Sequence, residues 1–219
     1  MILSVHRLCK RYNQGQDIIV ALDEISFNMN KGETLAILGP SGSGKTTLLS
    51  LLAGLEEISS GTVQISDHDI HQLSEEDLTQ FRSKNVGIIF QQFHLMPHLT
   101  ALENVRLPLD IQNEADSDKT AARALAAVGL EARRNHFPRE LSGGECQRVA
   151  IARAIVTQPT ILLADEPSGN LDADTGEMVM NLIFDLVSTN RMTLILVTHN
   201  LDLAKRCQRQ ICLKSGRIE

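Results

Sequence analysis

The sequence predicts an α/β fold, with an N-terminal antiparallel β subdomain and a helical lobe inserted between the strands of its core. Three observations predict it. Short apolar runs at 34–38, 86–90, 160–164 and 193–197 alternate with helical patterns, as buried strands of an open sheet do. Residues 3–8 and 21–29 read as two further strands, and Ile25, Phe27 and Met29 alternate with Ser26 and Asn28 as in a half-buried antiparallel strand. Between Gln92 and Pro159 no strong β run occurs, and capped helical patterns take its place.

The first two strands meet at a polar turn, Asn13-Gln14-Gly15-Gln16-Asp17, and Lys31-Gly32-Glu33 leads into the apolar strand 34–38. Directly after that strand stands Gly39-Pro40-Ser41-Gly42-Ser43-Gly44-Lys45-Thr46, which fits G-x-x-x-x-G-K-[ST] at every fixed position. Residues 47–53 continue as an apolar helix that Gly54 can end. Strand, loop and helix form the context this motif needs. Its glycines let backbone N–H groups curl around phosphate oxygens, and the helix N-terminus adds its positive end. Lys45 reaches the outer phosphates, and the Thr46 hydroxyl is offered to Mg²⁺. The core is therefore expected to be a P-loop NTPase core that binds a nucleoside triphosphate.

Residues 61–65 start another strand, with a turn near Asp67-His68-Asp69, and Ser74-Glu75-Glu76-Asp77 resembles a capping box for a helix ending near Lys84. Strand 86–90 delivers Gln91 at its end, the edge where open α/β sheets bind ligands. Thr100-Ala101-Leu102-Glu103 repeats the capping box, residues 121–128 form an alanine-rich helix closed by Gly129, and Ser142 opens a helix running to 156. Strand 160–164 delivers Asp165 and Glu166 before Pro167 breaks the pattern. Residues 174–187 read as a helix with Met178, Leu182, Ile183 and Leu186 on one stripe. Strand 193–197 delivers Thr198 and His199, a short helix spans 201–207, and a hairpin turning at 214–217 closes the chain. One domain, 1–219, is expected, with a core lobe of 1–91 and 159–219 and an inserted helical lobe of 92–158.

Composition limits the partners. With 21 Lys+Arg against 27 Asp+Glu the formal net charge is −6, and no basic block is present, so nucleic-acid or anionic-membrane binding by bulk charge is disfavoured. Cys9, Cys146, Cys207 and Cys212 form no C-x-x-C pair, which indicates neither a disulfide frame nor a structural metal and fits a reducing, cytoplasmic compartment. Residues 1–6 lack the apolar core of a signal peptide, and no window approaches the length needed to cross a bilayer. Any membrane role is expected to come through a separate partner.

Two carboxylates at the exit of strand 160–164 carry the chemistry. Asp165 has the setting of the residue that holds Mg²⁺ opposite Thr46. Glu166 is costly at that place unless it is used, and it is placed to orient or activate an attacking water.

These residues sit among further motifs: Leu141-Ser142-Gly143-Gly144-Glu145 followed by residues 146–154, Asp165-Glu166-Pro167-Ser168-Gly169-Asn170-Leu171-Asp172, and Val197-Thr198-His199. Together with the phosphate loop and Gln91, the chain resembles an ATP-binding-cassette (ABC) transporter ATPase over nearly its full length. By that resemblance, Gly39, Pro40, Ser41, Gly42, Ser43, Gly44, Lys45, Thr46 and Thr47 form the loop that contacts ATP or Mg²⁺. Gln91 senses Mg²⁺ and couples to a partner, Asp165 holds Mg²⁺, Glu166 is the general base, and His199 contacts the γ-phosphate. Tyr12, the only tyrosine, takes the place of the adenine-stacking aromatic, although an ordinary surface aromatic reads the same way there.

Ser142-Gly143-Gly144-Glu145 reads as a capping box in which the serine serves its own helix, yet the two glycines leave that positive helix end bare, and in the family it receives the γ-phosphate held by a second subunit. One phosphate loop and one signature per chain therefore imply a second cassette, with a head-to-tail homodimer as the expected form and Asp172 communicating between its sites. The family normally has Gln where this chain has Cys146, which puts fine contact near the signature helix in doubt.

Residues 93–105 resemble the lipoprotein-releasing and macrolide-export group, whose separate membrane permease subunits dock on the cassette. Leu95, Met96, Leu99 and Leu102 read either as that docking surface or as core of the inserted lobe. The expected role is ATP hydrolysis powering export or lipid extraction, peripheral on the inner membrane. A cell-division type ATPase that only signals through a membrane partner carries the same motifs. A soluble cassette acting on DNA or translation would carry a long coiled coil or two cassettes in one chain, and neither is visible.

Overall fold

The computed structural model describes residues 1–15 and 17–219, so Gln16, inside the expected turn at 13–17, lies outside the described residues. In chain order the elements are β1 (Leu3–Gln14), β2 (Asp17–Met29), β3 (Thr34–Leu38), α1 (Lys45–Leu52), β4 (Ser60–Ile65), β5 (His68–Asp69), α2 (Glu75–Asn85) and β6 (Val86–Ile89). There follow α3 (Ala101–Ile111), α4 (Ser117–Ala127), α5 (Gly143–Ile155), β7 (Ile161–Asp165), α6 (Ala173–Asn190), β8 (Thr193–Val197), α7 (Leu201–Lys205), β9 (Arg209–Lys214) and β10 (Arg217–Ile218). They divide into two compact units, residues 1–82 with 193–219, and residues 83–192. Within the second unit β6 and β7 pair with each other and β6 packs on α5.

In the first unit, β1 lies between β2 and β4 in an antiparallel sheet that β5 extends. Leu3, Val5, Leu22, Ile25, Phe27, Met29, Val63 and Ile65 face its core, so the alternation at 25–29 marks the buried face as the period of two requires. The β1–β2 hairpin is longer than residues 3–8 and 21–29. Its pairing shifts register near Cys9 and Glu24, and Arg7 and Glu24 take positive φ (45° and 53°). Such bulges let a ribbon bend and continue, here through the polar run from Lys10 to Gln14, which resembles a loop in sequence. The turns at Ser66-Asp67 and Ser215-Gly216 place both central residues at positive φ, the geometry of tight two-residue hairpins.

The same unit holds β3 parallel to both β8 and β9. Every residue from Thr193 to Val197 is buried, as are Leu35, Ala36 and Ile37; strands covered on both faces read as unbroken apolar runs.

In the second unit, β6 and β7 run parallel with Ile89 opposite Ala164, and α3, α4 and α5 pack on one another. Thr100 and Ser142 start α3 and α5 with complete capping boxes, each hydroxyl accepting the N–H three residues on and each glutamate answering the cap residue's own N–H. On α6 the buried residues are Gly176, Val179, Met180, Ile183 and Val187, while Met178 is 58% exposed. The expected stripe of Met178, Leu182, Ile183 and Leu186 is thus rotated around the helix. Its inner face is set by Gly176, where an added Cβ would stand 3.3 Å from the Ser168 Cβ, and a hydropathy stripe gives glycine no weight. Among the described residues, no helix is long and apolar enough to cross a membrane.

Candidate functional site

The phosphate loop leaves the end of β3 in a conformation only glycine can hold at two places. A Cβ on Gly39 (φ 152°) would stand 2.1 Å from the Leu213 carbonyl oxygen, and one on Gly44 (φ 100°) would stand 2.6 Å from that of Ala21. Between them Ser43 is 3% exposed. Its main chain is held on both sides, the N–H donating to Pro40 O (3.2 Å) and the carbonyl accepting from Gly216 N–H (3.1 Å). Its buried hydroxyl has no hydrogen-bond partner among the described residues. A buried polar atom of this kind calls for a partner, and a phosphate oxygen in the cradle meets that need.

Lys45 is 8% exposed, and its ammonium donates to Gly39 O (2.8 Å) and Pro40 O (2.9 Å), so two of its three N–H bonds run back over the loop. Thr46 is exposed on the first turn of α1, which carries no acidic residue to oppose an anion. Ser41 and Gly42 are exposed at the loop's tip, and Gly39, Pro40 and Thr47 complete it.

Tyr12 lies beside this helix. Its hydroxyl donates to Glu56 Oε2 (2.6 Å) and is hydrogen-bonded to Thr47, while Lys10 Nζ sits 4.9 Å from the ring centroid. Burial, followed by the bond to Glu56, holds its phenol above the usual range. One ring face thus carries a cation, and Tyr12 as a whole is 36% exposed. His199 is exposed just past β8, whose end is latched to β3 by Thr198 N–H donating to Ile37 O (3.2 Å). The first unit therefore brings together the loop residues, Tyr12 and the strand end that bears His199.

In the second unit, the ends of adjacent β6 and β7 bring Gln91, Asp165 and Glu166 to one sheet edge. Glu166 has φ 42°, in the left-handed region that a non-glycine residue seldom occupies, and its carbonyl accepts from Gly169 N–H (2.9 Å). Strain of this kind collects at functional sites. Gln91 exchanges bonds with Asn170: its Nε2 donates to Asn170 Oδ1 (3.3 Å), and Asn170 Nδ2 donates to Gln91 O (3.0 Å). Asp172 caps α6, accepting from Thr175 N–H (3.0 Å), a bond that holds its carboxyl below the usual range.

At the start of α5, Ser142 Oγ accepts from Glu145 N–H (3.2 Å) and Glu145 Oε2 accepts from Ser142 N–H (2.8 Å). That second bond is the main reason the Glu145 carboxyl lies below the usual range. Ser142 and Gly143 are exposed, whereas Gly144 is buried where a Cβ would come within 2.4 Å of Thr175 Cγ2. Cys146 is 7% exposed, its thiol donates to Pro138 O (3.5 Å), and burial pushes its pKa up. The departure from Gln thus fills a small buried site.

Two buried polar residues, Asn104 and Gln147, and the half-buried Arg153 carry no signal in the sequence. Asn104, fully buried, accepts from Met96 N–H and donates to Met96, Leu99 and Thr100 carbonyls. Arg153 donates to Phe93 O (2.9 Å) and His94 O (2.6 Å). Gln147 donates to Pro167 O (2.7 Å) and Phe90 O (3.4 Å). Each closes backbone groups of a loop, and only full accounting of those groups reveals it.

The oxygens of Thr46, Gln91 and Asp165 are hard donors of the type Mg²⁺ takes. Among the described residues, no group of three His, Cys, Asp or Glu could cage a metal ion.

The ABC transporter family model matches residues 22–169. The uncharacterized ABC transporter ATP-binding proteins YbbA of Escherichia coli strain K12 and of Shigella flexneri are each 46% identical over 220 residues, covering 100% of this chain and 96% of the relative. The ATP-binding cassette MJ0796, in a dimeric post-hydrolysis state bound to ADP and Pi, superposes with a TM-score of 0.92 at 40% identity over 100% of this chain and 97% of its own. A dimeric structure of MJ0796 described as a bacterial ABC transporter cassette gives the same TM-score at 41% identity.

Proposed function

Because the chain belongs to the ABC transporter family, we propose that it is a transport ATPase that works as two identical copies and drives a separate membrane permease. It hydrolyses ATP to ADP and phosphate. The observation that carries the reading is the cradle around Ser43: two positions that admit no Cβ, a buried hydroxyl with no hydrogen-bond partner among the described residues, and an ammonium folded over the same loop.

In this reading the loop amides of 39–47 and Lys45 bind the phosphates, and Tyr12 stacks on the base. Thr46, Gln91 and Asp165 would hold Mg²⁺, which would supply positive charge to the transferring phosphoryl group. Glu166 accepts a proton from the attacking water, and His199 donates a hydrogen bond toward the γ-phosphate. Ser142, Gly143 and Gly144 present the N-terminus of α5 to the triphosphate held by the other copy. MJ0796 is dimeric with ADP and Pi, which supports the two-copy arrangement. A single nucleotide-binding domain, with residues 92–158 as its helical lobe, contains all these parts.

The permease is one of the lipoprotein-releasing or macrolide-export kind, meeting the segment around Leu95, Met96, Leu99 and Leu102. In support, Met96 is 41% exposed and the leucines are half-buried, so the segment offers apolar surface while its backbone is tied down by Asn104. The same partner would hold the protein on the cytoplasmic face of the inner membrane.

Replacing Glu166 by Gln tests the mechanism. The variant should bind ATP, stop turning over and elute as a dimer with ATP present; turnover at the parent rate would remove Glu166 as base. Purification from membranes tests the partner. A multi-span protein with a large extracytoplasmic domain that recovers a bound lipid or lipoprotein supports export or extraction, and one without cargo supports signalling.

A further inference from the structure

We propose that Gln147 is a positioning residue for ATP turnover, one side chain on the signature helix that sets both Gln91 and Glu166. The proposal rests on the roles given to those two residues above.

Gln147 lies on α5, five residues past Ser142, and is fully buried. Its Nε2 donates to Pro167 O at 2.7 Å and to Phe90 O at 3.4 Å. Phe90 immediately precedes Gln91, and Pro167 immediately follows Glu166. An amide nitrogen carries two hydrogens, so one group pins the backbone on the outer side of both residues.

The orientation of the amide is determined. Two carbonyls face it and require donors, so Nε2 points at them and Oε1 is left buried without a hydrogen-bond partner among the described residues. An orphaned acceptor costs stability. Neither a shorter nor an apolar side chain would incur that cost, and each would leave two carbonyls unmet instead.

The two anchored points need such help. Glu166 has φ 42°, a conformation that persists only where its surroundings over-determine it. Gln91 is exposed and rests against Gly169, where a Cβ would come within 2.9 Å of its Nε2. Arg153, six residues farther along α5, holds Phe93 and His94 in the same manner. The signature helix therefore grips the Gln91 loop on both flanks and the Glu166 turn on one. A displacement of this helix, which bears Ser142, moves both groups together.

The test is steady-state ATPase kinetics of Gln147→Met, which keeps the length and removes the donor, and Gln147→Glu, which keeps the shape and has no donor when ionised. Removing the anchor should lower kcat about 10- to 100-fold, the scale of a small misplacement at a reacting centre, with KM for ATP within about twofold because the phosphate loop is untouched. An unchanged kcat per folded molecule with a lowered melting midpoint in either variant would make Gln147 a packing residue and overturn the proposal. Failure of both to fold would overturn it too, since the amide would then serve the fold and not the rate. Glu166→Gln is assayed in parallel: its turnover at the parent rate defeats the base assignment, whereas the Gln147 result is read on the parent enzyme and fails independently.

Discussion

Gln91 and Asn170 hold each other across the sheet edge, the side-chain amide of each satisfied by the other residue, at 3.3 Å and 3.0 Å. The pair joins the loop after β6 to the turn after Glu166. Asn170→Ala removes both bonds at an exposed place, so folding should change little. Turnover should fall severalfold with KM for ATP retained, as steady-state assays can measure; an unchanged kcat would show that Gln91 needs no such restraint.

Thr100 and Ser142 begin their helices with the same capping box, yet only Ser142 is followed by two glycines. Replacing either by Ala should cost about 1 kcal/mol of stability, or about 2 to 4 °C in melting midpoint. Turnover should collapse only for Ser142→Ala. Equal activities in the two variants would leave Ser142 with its cap alone.

Gly39→Ala would drive a Cβ to 2.1 Å from the Leu213 carbonyl oxygen. Backbone on both sides leaves nothing flexible to yield, so a loss of at least about 2 kcal/mol is expected, together with loss of ATP binding by calorimetry. Gly42→Ala, with nothing near the added carbon, carries only the penalty of its φ of 76° and should be milder.

Burial pushes the Cys207 thiol from 9.0 up to about 11. The unfolded chain releases this proton first, so the contribution is intact below pH 9.0 and is lost as pH rises through about 11. Melting midpoints measured across that window should decline, and Cys207→Ala should flatten that part of the decline. At pH 8 a thiol reagent should reach half-exposed Cys212 before Cys9, Cys146 or Cys207, which are buried.

The phosphate loop, the strand ends and both capping boxes could be located from sequence because each depends on contiguous residues: a motif, an apolar run, or a cap with its partner three positions on. The hydropathy of Met178 fits the apolar stripe of α6, but the close approach of Gly176 to Ser168 decides which face turns inward. Gln147 and Arg153 resemble solvated positions of an amphipathic helix; the burial of Gln147 and the inward turn of half-buried Arg153 follow from carbonyls at Phe90, Phe93, His94 and Pro167 that lie far away in the chain. Asn13 and Gln14 belong to the expected polar turn and Lys10 to Tyr12 lie beyond the expected strand end at Leu8, although a bulge keeps all five in the ladder.

The wall of the phosphate loop comes from the far end of the chain: Leu213 stands against Gly39, and Gly216 binds Ser43 O and, through its own carbonyl, Asp23 N–H. On the ribosome, residues 39–46 emerge long before the hairpin that completes their wall. A nascent chain stalled before residue 213 should therefore carry the whole motif and still be unable to capture ATP, so that each copy becomes competent for nucleotide only once residues 213–216 have been made.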